Sequence, residues 1–540
     1  MTRSATRTLW FPLILLLGIS TTVFLGFYIF DWISFGDGRS LWSTLFHFDI
    51  DTLQNALGNM AQVVAAVLGI VITVVSIVVQ LAATRYTPRI ADLFFRDNTN
   101  LGVLGFFVVA CINAVWVSVS VGKSFIPQAS IISTMVLVTA SLLLMVPYFA
   151  YVFAFLDPER VVGRIQAQAV SAALESKSEV ESRQRSVLTG VEQLADVAIN
   201  AVSQKDKAIA SGSIDALKDL LVQYLERKKT LDAEWFHIGR SLRANPDFVA
   251  LAPESTADLI ERRIWLEWKV LRQFQSIYNE SLGSMPDVSQ LIAIDTRYVG
   301  ESALGTGAGR GADDQAIALT IKFFNTYLRA TINAREVRTA YNVLNQYRQL
   351  AESALGTPGC AAIASGVATH FRYYGQLAHS MNLGFVTETA AYDLATLCER
   401  AFVGSAAGVS ADVHGAILKA LLELDPQDPV AGSAAAAGSK PEMHEDILRG
   451  VRKAQVRLAT FYLNAGPAGA PYAQTIFRDM VNERPERLRS IFRELEQVES
   501  KDFWEVIDRG TNFDYLEEDR KAQLHVFSSW FQSLNIVAGA

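Results

Sequence analysis

Nine residues between positions 55 and 84 stand at helical spacing inside a long apolar run: Asn55, Asn59, Gln62, Ala66, Gly69, Thr73, Ser76, Gln80 and Thr84. Steps of four and three residues put them on one face of a helix. The other faces are Val, Ile, Leu and Ala. In a bilayer such a seam can hydrogen-bond to neighbouring helices, with Gly69 and Ala66 allowing close approach. It can equally line a water-filled path, contributed by several subunits, in which amides and hydroxyls touch ions or small solutes. A mixed arrangement, with the seam packed inside one subunit, is a third reading, and spacing alone leaves all three open. The run holds no Asp, Glu, Lys or Arg before its ends, which argues against a proton-coupled pump. At the inner end Arg85 and Arg89 flank Pro88, which should end or kink the helix. The two arginines suit lipid phosphates at headgroup level, or a basic ring at a pore mouth that favours anions.

No catalytic constellation accompanies the seam. The seven histidines (His47, His237, His370, His379, His414, His444 and His525) show no metal-binding spacing. His370 and His379 fall on roughly opposite faces of one helix, so they do not chelate together. The Gly305–Gly311 loop lacks the Gly-Lys-Ser/Thr of a phosphate loop. There is no nucleophile elbow and no kinase set. Cys111, Cys360 and Cys398 form no C-x-x-C pair, so neither a zinc site nor a disulfide framework is suggested. The sequence therefore predicts no catalytic residue, no metal and no cofactor, and no enzyme.

The seam needs a membrane around it, and four stretches have the length to cross one: about 9–30, 56–84, 101–122 and 129–156. The first also fits the opening of a cleaved signal, with Arg3 and Arg7 before it. It is too long for an ordinary signal core and lacks a clear small-x-small site after it, so it reads as an uncleaved span. Basic residues near the span ends divide seven to two when the N-terminus is placed inside. Arg3, Arg7, Arg85, Arg89, Arg96, Arg160 and Arg164 then face Arg39 and Lys123. This bias places both termini in the cytoplasm. Residues 1–156 carry seven basic and six acidic groups, and the remainder carries 41 and 49, a net of −8. An acidic soluble part speaks against broad nucleic-acid binding.

Beyond Asp157-Pro158-Glu159, which reads as a helix start, helical patterns cover most of residues 157–540. They fall at about 158–210, 213–245, 254–282, 312–356, 360–380, 386–404, 410–424, 441–465, 470–499 and 516–535. The best candidate for an extended piece is 288–299. A subdomain division is expected near 300–312 and a flexible loop at 425–441, around the Ala434–Ala437 run. The hexapeptide Glu-Ser-Ala-Leu-Gly-Thr occurs at 301–306 and again at 352–357. It reads as chance or as two similar helix caps, not as a solenoid repeat. Phe503-Trp504-Glu505-Val506-Ile507-Asp508-Arg509-Gly510 is distinctive without an assignable role.

The run from Gly69 through Ser76 to Gln80-Leu81-Ala82, continuing through Tyr86-Thr87-Pro88-Arg89 to Arg96-Asp97, resembles a bacterial predicted membrane protein family. That family is the one named for domain of unknown function 2254. The resemblance covers about a third of the chain and implies a four-span N-terminal unit followed by a divergent soluble region. The family's proline- and glycine-bearing turn after a cytoplasmic helix corresponds here to Ala330–Glu336, which has neither residue. The resemblance carries topology and no activity.

The expectation is a mostly α protein, a four-helix transmembrane unit at 1–156 followed by a large cytoplasmic α-helical domain at 157–540. It is expected to be a multi-pass protein of the bacterial inner (plasma) membrane. Its partners are the lipid bilayer, further copies of itself and a cytoplasmic protein, with no nucleic acid. The function read from it is an oligomeric ion or small-solute channel lined by the second span. The alternative is a non-conducting membrane-anchored scaffold or sensor acting through its helical domain.

Overall fold

Apolar residues dominate three long stretches near the N-terminus, and in the computed structural model each forms one helix. The structure describes residues 50–85, 97–122, 127–155, 157–175, 179–305, 311–405, 408–424, 441–503, 509–510 and 512–533, with isolated positions between 17 and 33. Two compact units result, Met1–Arg164 and Ile165–Ala540. Most of the 9–30 stretch, Arg89 and residues 425–440 lie outside the described residues.

In the first unit, α1 spans Ile50–Arg85, α2 Asn98–Ser120 and α3 Gln128–Phe155. Each is long and apolar enough to cross a membrane. Gln54 donates its side-chain amide to the carbonyl of Val121 (2.9 Å), and Val64, Ala110 and Val138 share one apolar cluster. These two ties set α1 antiparallel to α2. Asn113 donates to the Thr134 hydroxyl (2.9 Å) and fixes α2 against α3. That pairing satisfies two polar groups that hydrocarbon would leave bare.

The second unit is helical throughout its described residues. Its main helices are α4 Pro158–Leu174 (which begins in the first unit), α5 Val180–Ser203, α6 Lys207–Arg227, α7 Trp265–Ser281, α8 Pro286–Ala303 and α9 Asp314–Asn333. They continue with α10 Val337–Leu355, α11 Ala362–Ser380, α12 Gly384–Gly404, α13 Ala411–Leu422 and α14 Pro441–Asn464. The chain ends on α15 Ala470–Met480, α16 Pro485–Gln497 and α17 Glu518–Ser533. From α5 onward they zigzag between two layers. One layer runs α6, α8, α10, α12, α14 and α17; the other runs α5, α7, α9, α11 and α13. Each helix packs on its neighbours within a layer and across it, as in stacked helical hairpins. Buried aromatic side chains fill the space between, including the stacked pairs Tyr278–Tyr327 (4.6 Å) and Phe324–Tyr347 (4.8 Å).

Several expectations are corrected. Residues 288–299 are not extended but lie within α8, where Val288, Ile292, Thr296, Val299 and Ala303 are buried at steps of three and four. Pro286 at its first turn starts that helix. The stretch expected as one helix over 158–210 is broken between Leu174 and Val180, where the charged run Glu175–Glu181 offers little to bury. Arg183 closes the break by donating to the carbonyls of Ala172 and Ala173 (3.0 Å each), which the end of α4 leaves without partners. The 312–356 stretch divides at Arg335 and 254–282 at Arg263, both at positive φ. The repeated hexapeptide ends α8 and α10, which are neighbours in the same layer. The two copies terminate differently: Gly305 is left-handed (φ 73°), and Gly356 is not (φ −79°).

Candidate functional site

Two heptad-spaced stripes run down α1 on opposite sides. Leu53, Leu57, Val64, Val71, Val75 and Val79 are buried against α2 and α3. The polar seam lies about half a turn away. Asn55, Asn59, Gln62, Ala66, Gly69, Thr73 and Gln80 are exposed, and Ser76 is half-buried. Among the described residues no helix of the subunit covers this face. A methyl group built on Gly69 would meet nothing within 4 Å, so its smallness serves no contact among the described residues. Thr84 and Arg85 continue the helix in backbone, and Arg89 lies outside the described residues.

Exposed apolar residues border the seam on both sides: Val63, Ile70 and Ile77 on one, Ile72 on the other. Thr73 donates its hydroxyl to the Gly69 carbonyl (2.8 Å) and so satisfies itself within the helix. Among the described residues no side chain bonds to the amides of Asn59, Gln62 or Gln80.

The register sets depth. A helix of 36 residues measures roughly 54 Å, against about 30 Å of hydrocarbon. Gln54 is level with the C-terminal end of α2, so the excess length lies at the other end, beyond the start of α2 at Asn98. Gln80, Thr84 and Arg85 therefore fall at headgroup level, and the part of the seam inside hydrocarbon runs from about Asn59 to Ser76.

At the level of the α2 N-terminus the structure brings together residues that spacing did not single out. Asp97 caps α2 through the amides of Thr99 and Asn100 (2.9 and 3.2 Å). Its carboxylate also accepts from the Tyr151 hydroxyl. Burial pushes the Asp97 carboxyl up, but the Tyr151 hydroxyl and the two amides outweigh it and hold it below the usual range. Tyr148 donates to Asn100 (2.5 Å) one turn deeper. The two tyrosines pin α3 to the start of α2. The Asp97-Asn98-Thr99-Asn100 string advertises a cap, whereas its tyrosine partners carry no sequence signal. Elsewhere His414 packs among Phe402, Tyr462 and Tyr472 and pairs with the Tyr462 hydroxyl (2.6 Å). His370 pairs with Tyr347 (2.9 Å). Both are packed side chains of the second unit.

What the first unit can do chemically is present a polar, uncharged track on an otherwise apolar surface at bilayer depth. No curated protein and no solved structure matches the chain. A family model does. Residues 6–189, about a third of the chain, which take in all three described spans, α4 and the start of α5, match the one described as Predicted membrane protein (DUF2254), so this part of the chain is similar to that family of membrane proteins.

Proposed function

We propose that the protein is an oligomeric channel for ions or small solutes in which α1 from several copies lines the path. The observation that carries this reading is the placement of the polar seam on a face that no helix among the described residues covers, bordered by apolar residues on both sides. Leaving an amide such as Gln62 in hydrocarbon without a partner costs roughly 2–7 kcal/mol. The seam therefore needs water or another polar surface opposite it. Copies of α1 around an axis supply both: the central seam meets water, and Val63, Ile70, Ile72 and Ile77 seal the joints between neighbours. The seam holds no charge, which fits passive conduction better than proton-coupled transport. We read the membrane as a bacterial inner membrane and both termini as cytoplasmic, on the bias of basic residues at the span ends.

One observation favours the non-conducting scaffold instead. Stacked helical hairpins are a common platform for binding other proteins, and the second unit is built that way. Conductance separates the two. Purified full-length protein in planar bilayers under a salt gradient should give reproducible currents, changed in size or ion preference by Thr73→Leu with Gln80→Leu. Silence from folded, oligomeric protein across voltage would favour the scaffold and make the seam a joint between copies.

A further inference from the structure

In the second unit α10, α12, α14 and the segment before α17 enclose a cavity of about 450 Å³. Five cations line it (Arg348, Arg457, Lys501, Arg509 and Arg520) against two carboxylates, Asp393 and Glu517. We propose that this cavity is a binding site for a small phosphomonoester or free phosphate. The proposal is independent of whether the protein conducts.

The cations divide into those the protein neutralises and those it does not. Arg509 belongs to the Phe503–Gly510 stretch that sequence alone left without a role. Its side chain is 5% exposed and forks onto Asp393, Nη1 to Oδ1 at 2.6 Å and Nη2 to Oδ2 at 3.2 Å. Nη2 also donates to the Tyr341 carbonyl (2.6 Å), and the guanidinium lies 4.2 Å over the Tyr341 ring. Arg348 forms an ion pair with the same Asp393 through Nε (3.0 Å) and reaches Glu352 outside the cavity. Arg520 is held by Glu399 and by the Arg457 carbonyl (2.8 Å each). These three form a fixed wall.

Arg457 differs. It is half-buried in α14, yet among the described residues no carboxylate pairs with it and no acceptor takes its guanidinium. Its Nε is buried without a partner, as are those of Arg509 and Arg520, and its one ring contact is Tyr392 at 6.0 Å. Lys501, exposed at the rim, also has no carboxylate partner among the described residues. Partial burial of a cation among cations is unfavourable unless an anion joins it. The one uncommitted carboxylate in the lining, Glu517, is exposed at the rim and sets an upper limit on the charge the site attracts. Two unmatched cations and one rim carboxylate suit an anion of one to two charges. Guanidinium groups favour phosphate by forked hydrogen bonding. Phe513 and Tyr515 in the same wall offer apolar surface to the body of an ester.

The test is titration calorimetry on the full-length protein in detergent, at matched ionic strength. The probes are inorganic phosphate, phenyl phosphate and benzoate, with chloride as the background salt. Saturable binding of both phosphates, at least tenfold weaker in Arg457→Gln and less weakened in Arg457→Lys, which keeps the charge but not the fork, supports the site. Because Arg457 has no partner to lose, ligand-free Arg457→Gln should melt no lower than the parent. Absence of saturable phosphate binding, unchanged binding in Arg457→Gln, or a marked fall in its ligand-free melting temperature would overturn the proposal. Benzoate binding as tightly as phenyl phosphate would overturn the choice of phosphate.

Discussion

Asp295 in α8 is a carboxylate that its surroundings work against. Burial pushes its pKa up to about 7; Lys218 (3.9 Å away) pulls it down, and the like charges of Asp215 and Asp219 push it up again. A carboxyl whose folded pKa lies above its unfolded value of 3.8 favours the folded state while protonated. The penalty grows as pH rises from about 4 and is complete above about 7. Three pK units correspond to about 4 kcal/mol at the limit. Asp295→Asn should therefore raise the unfolding midpoint of the second unit at pH 8 and leave it nearly unchanged at pH 4, in chemical denaturation of the full-length protein. A lower midpoint at pH 8 would mean that the ion pair with Lys218 outweighs burial. None of this was legible from the chain: Asp295 stands among ordinary helix residues, and its burial comes from α6 packing over it. Asp97 was half legible, through its cap string and not through Tyr151.

At the scale of elements, the apolar runs set the ends of the three described spans to within about two turns, because hydrocarbon thickness leaves little latitude. The helix 56–84 of the sequence reading is Ile50–Arg85 in the structure; it starts earlier because Leu53 extends the buried stripe one turn beyond Leu57. The turns of the second unit were harder to see. Lys205, Arg263, Arg335 and Asn382 all have φ between 57° and 59°, and each stands between two helices. Glycine is the usual marker of such a position, and three of these four are long charged residues. The breaks at Lys205, Arg263 and Arg335 were therefore hidden inside continuous helical patterns, whereas Asn382 falls between the expected helices 360–380 and 386–404. Left-handed backbone costs a residue with a Cβ roughly 1–2 kcal/mol. Arg335, exposed between α9 and α10, is the clearest case. Arg335→Gly should stabilise the protein by up to about 1 kcal/mol, the gain being reduced by the greater freedom of glycine in the unfolded chain. A shift of the urea midpoint to higher concentration checks it; a clear drop would show that the arginine side chain holds the turn.

At the scale of the whole molecule, a membrane unit with a polar free face precedes a two-layer stack of helices. The division into apolar and charged halves was plain in composition, and the seam was plain in its spacing. Which side of α1 the subunit buries was not, because both stripes share the same heptad period. The buried one is apolar, and that leaves the seam outward. The account's central claim is that this outward face meets water within the bilayer. Single cysteines at Gly69, Thr73 and Ser76, and at Ile70, Ile72 and Ile77, in a background without Cys111, Cys360 and Cys398, test it by labelling in membranes with a water-soluble thiol reagent. The account predicts rapid labelling at the first three positions and slow labelling at the second three. Equal protection of all six would contradict it and leave the seam closed against lipid or protein.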